Sequence, residues 1–257
     1  MTIKGIDAVV YSAPDMDEAH RFFSDWGLKR TRNGKAGMVY QTAVGSEVVV
    51  RPPDAKNLPA PAMPGEHFRE VIFGVSSQKH LNDIAKELAK DQDVTTDKDG
   101  TIHAYDPSGF GIGFRLWKRK DKVKAPRAPI NGIGSVERVD ERSVFYERAR
   151  PIRMGHIVFI VPDLKAAEKF YTERLGFLIS DRYAKGRAVF LRYAARSDHH
   201  NLFFIQAGNG KVAKIDHVAF EVRDIHEVFA GGLNFARQGW ATEVGPGRHP
   251  ISSAYFW

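Results

Sequence analysis

The sequence predicts an α+β fold in two domains, each made of two β-α-β-β-β modules. Three observations predict it. Ile6 to Asp15 aligns with Met154 to Asp163 at a constant shift of 148 residues, and both apolar runs end in Pro-Asp. Arg69 to Val75 matches Asp216 to Val222, so two further copies fill the intervals between the first two. A basic, proline-interleaved stretch then separates one pair of copies from the other. Self-similarity at a fixed spacing marks repeated supersecondary units.

The first module spans about 4–52. Its apolar strand runs into Asp15, a natural helix N-cap. Met16, Ala19 and Phe23 follow at spacings of three and seven, which mark one buried helical face. Gly27 stops that helix, and β-rich Gly37–Tyr40 and Glu47–Val50 come next. A proline-rich loop from Pro52 to Pro64 leads to the second module, 67–117. There a helix through Leu81, Ile84 and Leu88 follows the strand, and an Asp106-Pro107-Ser108-Gly109 turn precedes a last strand from Phe110 to Phe114. Residues 118–152 form the linker.

The third module, 153–206, repeats the first: cap at Asp163, helical face through Leu164, Ala167 and Tyr171, stop at Gly176, strands over 187–193 and 201–205. The fourth, 214–257, has a helix through Ile225, Val228 and Leu233 that Gly231-Gly232 weakens. Domains of 1–117 and 153–257 follow, the last module being incomplete.

Composition limits the chemistry. With 43% apolar and 27% charged residues the chain reads as an ordinary globular protein. No stretch approaches the roughly 20 apolar residues of a membrane helix, and the N-terminus lacks the pattern of a secretory signal. No membrane partner is expected, and a cytoplasmic location is. The absence of cysteine excludes thiolate metal sites, so any metal must be held by His, Asp or Glu. Much of the net charge of +7 sits in Arg115, Lys118, Arg119, Lys120, Lys122, Lys124 and Arg127. That run lacks aromatic residues spaced to stack bases and reads as a solvated linker, with no nucleic-acid partner. The charge could still draw in an anionic substrate.

His156 and His217 open two matched strands 61 residues apart. A histidine heading an apolar, β-branched run is badly placed for packing and well placed to offer a neutral lone pair to a metal. Taken singly, each could equally be satisfied by ordinary hydrogen bonds. If the strands are neighbours, both imidazoles can face one ion.

Paired β-α-β-β-β modules with histidines opening partner strands resemble the vicinal oxygen chelate superfamily, which includes glyoxalase I, the bleomycin and fosfomycin resistance proteins and the type I extradiol ring-cleavage dioxygenases. Four modules with the histidines in the second domain look most like the dioxygenases, over essentially the whole chain. The resemblance implies that each module pair forms a curled, half-open sheet around a cavity, with helices outside. It also implies Fe(II) held by two histidines and a glutamate. His156, in Gly-His-x-x-Phe, matches the first ligand, and His217, in Asp-His-x-x-Phe, the second. His200, in Asp198-His199-His200, takes the acid/base position, with a solvated surface turn or a third metal ligand as alternatives. His249, in Gly-Pro-Gly-Arg-His, takes a substrate-binding position, with a plain turn histidine as the alternative.

The third ligand, a glutamate, is expected beyond Trp257, after an Asp-Pro-x-Gly turn like that of the second module. Glu221, four residues after His217, is a poor substitute because it lies too far along the strand. The first domain holds Ala8, Glu70 and Gly113 at the ligand-equivalent positions and reads as scaffold.

The leading expectation is therefore an Fe(II)-dependent extradiol dioxygenase opening a catecholic ring with O2, with homo-oligomers implied by the resemblance. The alternatives are a glyoxalase-type isomerase, lyase or thiol transferase using Mn2+, Zn2+ or Ni2+, and a non-catalytic aromatic-ligand-binding protein of the same fold.

Overall fold

The structure, a computed structural model, describes residues 2–34, 36–120, 133–134, 139–140, 142, 145–208 and 211–257. The first module forms β1 (Ile3–Ser12), α1 (Met16–Asp25), β2 (Lys29–Gly34), β3 (Gly37–Gln41) and β4 (Glu47–Arg51). The second forms β5 (Phe68–Val75), α2 (Gln78–Leu88), β6 (Thr95–Thr96), β7 (Ile102–Tyr105) and β8 (Gly111–Leu116). The third forms β9 (Arg153–Val161), α3 (Leu164–Lys169) running into a π-helical turn (Phe170–Arg174), β10 (Leu178–Tyr183), β11 (Ala188–Arg192) and β12 (Leu202–Gln206). The fourth forms β13 (Lys214–Glu221), α4 (Ile225–Arg237), β14 (Gly247–Arg248) and β15 (Tyr255–Phe256). Asp15 and Asp163 cap their helices as the Pro-Asp signal predicts, accepting from Glu18 N at 2.8 Å and from Ala166 N at 3.0 Å.

Two curled sheets result. The first has the order β2-β3-β4-β1-β5-β8-β7-β6, in which each module reads outward from a central antiparallel pair, β1 with β5. The second has the order β10-β11-β12-β9-β13, so β9 and β13 take the places of β1 and β5. The repeat holds to the residue. Val10 lies opposite Glu70 as Val158 lies opposite His217, and Ala8 opposite Ile72 as His156 opposite Ala219. In the first sheet β5 carries β8 on its outer edge, in parallel; among the described residues the corresponding edge of β13 has no strand, and β14 and β15 pair only with each other.

The helix-side faces of both sheets share one core. Phe159 of β9 packs on Phe110 at 4.4 Å and on Phe68 at 5.5 Å between ring centroids, and Phe177 packs on Phe73 at 5.6 Å. Tyr171 donates its phenolic hydrogen to the buried Asp106, in the Asp-Pro-Ser-Gly turn of the other domain, at 3.3 Å. Burial raises the Asp106 carboxyl to about 6, against the pull of the backbone N–H groups of Phe110 and Ser108.

On its opposite face the first sheet is filled by its own chain. Leu58, from the proline-rich loop, packs against Ala8, Val10 and Ile72. Beside them the buried Glu70 carboxylate meets His103 Nδ1 at 2.6 Å.

Two features differ from expectation. The basic run is not wholly a solvated linker: Arg115 Nε donates to the buried Asp7 carboxylate at 2.7 Å and its NH2 to Glu47 at 2.9 Å, and Arg119 joins the same two carboxylates. These two cations neutralise acids inside the first domain, while Lys122, Lys124 and Arg127 lie outside the described residues. The Gly231-Gly232 pair does not interrupt α4. A Cβ on Gly231 would come 2.9 Å from the Ala149 methyl, and one on Gly232 would enter the Trp257 indole, so both glycines permit close packing. Among the described residues no helix is long and apolar enough to cross a membrane.

Candidate metal centre

His156 and His217 project from adjacent antiparallel strands, β9 and β13, on the face of the sheet turned away from the helices. Alternation explains the facing: Ile157 and Phe159 enter the shared core, so His156 points to the other side. The two Nε2 atoms stand 3.2 Å apart. Asp216 Oδ2 lies 2.7 Å from His217 Nδ1. A carboxylate only accepts, so Nδ1 carries the hydrogen and the Nε2 lone pair of His217 faces His156. Burial lowers the His156 imidazole to about 2, helped by any positive charge on His200, His217 or His249. It is therefore neutral near pH 7, as a metal ligand must be.

This donor pair fits a divalent ion. Two nitrogens each about 2.1 Å from one ion and at right angles to each other stand about 3.0 Å apart, close to the spacing here. Imidazole donors suit Fe, Zn and Ni, and a carboxylate added to them would suit Mn as well. Among the described residues no group of three His, Asp or Glu side chains is arranged to hold a metal. Glu221 accepts from Arg153 at 2.8 Å through both oxygens, and so is turned to that guanidinium.

His200 joins the pair, its ring centroid 4.2 Å from that of His156. It is 8% exposed, and burial lowers it to about 4, with the charges of His199, His249 and His217 acting the same way. It is thus a buried base rather than a solvated turn residue. His199 approaches it Nδ1 to Nδ1 at 3.1 Å. Phe190 lies edge-on to His200 at 4.9 Å and stacks on Phe203 at 3.9 Å, with the two planes 3° apart. Those two rings make an apolar wall beside the histidines.

His249 follows β14, with its ring stacked on Phe256 at 4.2 Å. It reaches the cluster by charge rather than by a direct contact, and burial and His217 lower its own basicity. The sequence reading missed Phe203, Arg153 and Asp216. Only Asp216 carries a local signal, since it immediately precedes a candidate ligand.

The profile of the Glyoxalase/Bleomycin resistance protein/Dioxygenase superfamily matches residues 153–257, the part of the chain that carries His156, His200, His217 and His249. The match covers the second domain and leaves the first without one. Among its relatives, metapyrocatechase 2 of Cupriavidus necator is 24% identical over 254 residues, covering 99% of this chain and 76% of that protein. Two solved structures share the fold over nearly the whole chain. A Mn(II)-bound glyoxalase from Novosphingobium aromaticivorans has a TM-score of 0.71 at 20% identity, covering 98% of this chain and 76% of that one. An extradiol ring-cleaving dioxygenase from B. fuscum has a TM-score of 0.73 at 18% identity, covering 99% of this chain and 67% of that one. At these identities the structural likeness establishes the architecture, and the chemistry must be argued from the site.

Proposed function

We propose that the protein is an Fe(II)-dependent extradiol dioxygenase of aromatic catabolism, opening a catecholic ring with O2 in the cytoplasm, as a homo-oligomer. The observation that carries the reading is the convergence of His156 Nε2 and His217 Nε2 to 3.2 Å with the buried His200 ring beside them. The relation to metapyrocatechase 2 supports it. His156 and His217 would hold the ion, which when bound would supply Lewis-acid and redox chemistry to a catechol and O2.

The remaining work falls to the chain. His199 stands against His200 Nδ1, so Nε2 is the nitrogen offered to the substrate. Neutral near pH 7, it accepts a catechol proton and returns it as the ring opens. Phe190 and Phe203 receive the ring and keep water away, and His249 contacts the substrate oxygens. A carboxylate presented along the edge of β13 that β8 occupies on β5 in the first sheet would complete the ligand set. Gly113 of β8 lies opposite Ile72, whose repeat equivalent Ala219 lies opposite His156. The same register on β13 would bring such a carboxylate beside both histidines.

The protein, loaded anaerobically with Fe(II), should consume O2 in equimolar proportion to a catechol and yield a ring-opened product. No uptake across a catechol panel would overturn the proposal. Turnover of a thiol adduct on Mn2+, Zn2+ or Ni2+ would then support a glyoxalase-type isomerase, lyase or thiol transferase, a reading favoured by the fold shared with the Mn(II)-bound glyoxalase. Metal-free protein that retains aromatic ligands would support a binding protein.

A further inference from the structure

Arg153 opens β9 three residues before His156, and its guanidinium gathers two carboxylates. Its Nε and one NH2 nitrogen donate to Glu221 Oε2 and Oε1, each at 2.8 Å. Glu221 lies directly opposite Arg153 on β13, so this half of the contact joins strands that their ladder already joins. The NH2 nitrogen also donates to Asp198, at 2.8 Å to Oδ1 and 2.9 Å to Oδ2. Asp198 sits in the turn before β12, outside any strand and two residues before His200. The β11–β12 ladder closes the turn only at its base, and within it side chains add contacts: Ser197 Oγ donates to Ala194 O at 3.0 Å and the Asn201 amide to Asp198 Oδ2 at 3.4 Å.

We propose that Arg153 is a positioning residue: through its ion pair with Asp198 it fixes the turn that presents His200 to the substrate. This rests on the acid/base role given to His200 in the dioxygenase reading. The other flank of His200 is tied to the same strand. The buried Asn201 amide donates to Gly155 O at 3.1 Å and its Oδ1 accepts from Tyr193 N at 3.3 Å. Its backbone N–H donates to Leu191 O at 2.8 Å, and its carbonyl accepts from Ile157 N at 3.0 Å. His200 is thus bracketed by two anchors, both set on the strand that carries His156. The Arg153 and Asp198 side chains are 34% and 37% exposed, so solvent screens the pair and its strength is modest. What it supplies is a charge-assisted tether: the Glu221 fork holds the guanidinium on β9, and its NH2 nitrogen reaches both Asp198 oxygens and so limits where the turn can lie. Displacement of a catalytic group by about 1 Å can cost on the order of a hundredfold in rate.

The test uses Arg153→Met and Asp198→Ala beside Glu221→Gln, which keeps the Asp198 contact. In metal-free protein, carbethoxylation by diethyl pyrocarbonate is followed at each histidine by peptide mass spectrometry. His200 should react about tenfold faster in the first two variants, while His20 and His80 keep their parental rates and Glu221→Gln keeps the parental pattern throughout. In Fe(II)-loaded enzyme, kcat should fall roughly 10- to 100-fold in the first two with the catechol KM within about threefold. Parental His200 reactivity in both Arg153→Met and Asp198→Ala overturns the proposal, as does equal deprotection of every histidine. If Arg153→Met loses its far-UV dichroism, Asp198→Ala decides alone. If the parent consumes no O2 with any catechol, the dioxygenase reading fails, and the labelling still decides whether Arg153 positions His200.

Discussion

Asp216 accepts the Nδ1 hydrogen of His217 at 2.7 Å, although the two residues are adjacent in the chain and alternate strand positions should point to opposite faces. A register shift between Ile215 and His217 in the β13–β9 pairing accounts for their meeting. The contact fixes the tautomer that leaves Nε2 bare. Asp216→Ala should therefore weaken Mn2+ binding by about 10- to 100-fold, measured by anaerobic calorimetric titration. Far-UV dichroism should stay parental, because Asp216 is exposed.

Phe203 stacks on Phe190 with planes 3° apart, and Phe190 in turn meets His200 edge-on. Phe203→Ala should raise the catechol KM by about tenfold, in keeping with the 0.5–1.5 kcal/mol typical of an aromatic pair. Steady-state O2 uptake should find kcat within about threefold of the parent.

Asp106 carries a pH dependence that can be isolated. Its folded value of about 6 stands above the unfolded 3.8. Folding therefore favours its protonated form, so the stability it contributes is full below about pH 4 and is lost as pH rises through 6. The loss should approach about 3 kcal/mol by neutral pH. Asp106→Asn retains an acceptor for the Ser108 and Phe110 amides without the titration. Urea unfolding of parent and variant from pH 4 to 8 should show their stability difference changing by about that amount.

Phe159 is wholly buried where the domains meet, touching Phe68 and Phe110 of the first and Phe204 of its own. Phe159→Ala should cost about 3–5 kcal/mol. Because one core runs through both sheets, both domains should unfold together at a lower denaturant concentration. Coincident tryptophan fluorescence and far-UV dichroism curves would bear this out, and a split into two steps would contradict it.

The sequence revealed most where a pattern occurs twice. Ala8 and His156, or Glu70 and His217, can be paired by inspection, and the register of the two sheets repeats that pairing. The edge strands β2 and β10 escape such reading because nearly every residue in them is exposed, leaving no apolar alternation to detect. Gly231 and Gly232 argue locally against a helix that Ala149 and Trp257 require to be slender there. Arg153 and Phe203 were illegible for a different reason. Their roles depend on Asp198 and Phe190, partners that become neighbours only when β9, β11 and β12 pair. The basic run misled because charge composition does not reveal that Asp7 lies buried 108 residues before Arg115.

Leu58 occupies in the first sheet the side that the histidines occupy in the second. The interior of each curl is therefore a berth that the backbone shapes without dictating its tenant: a loop in one copy, polar chemistry in the other. Duplicated architecture of this kind lets one berth be sealed with peptide and serve as ballast while its twin stays free to change what it admits. New specificities in such a chain are best sought by remodelling the segments that enter the curl, leaving the strands that form it alone.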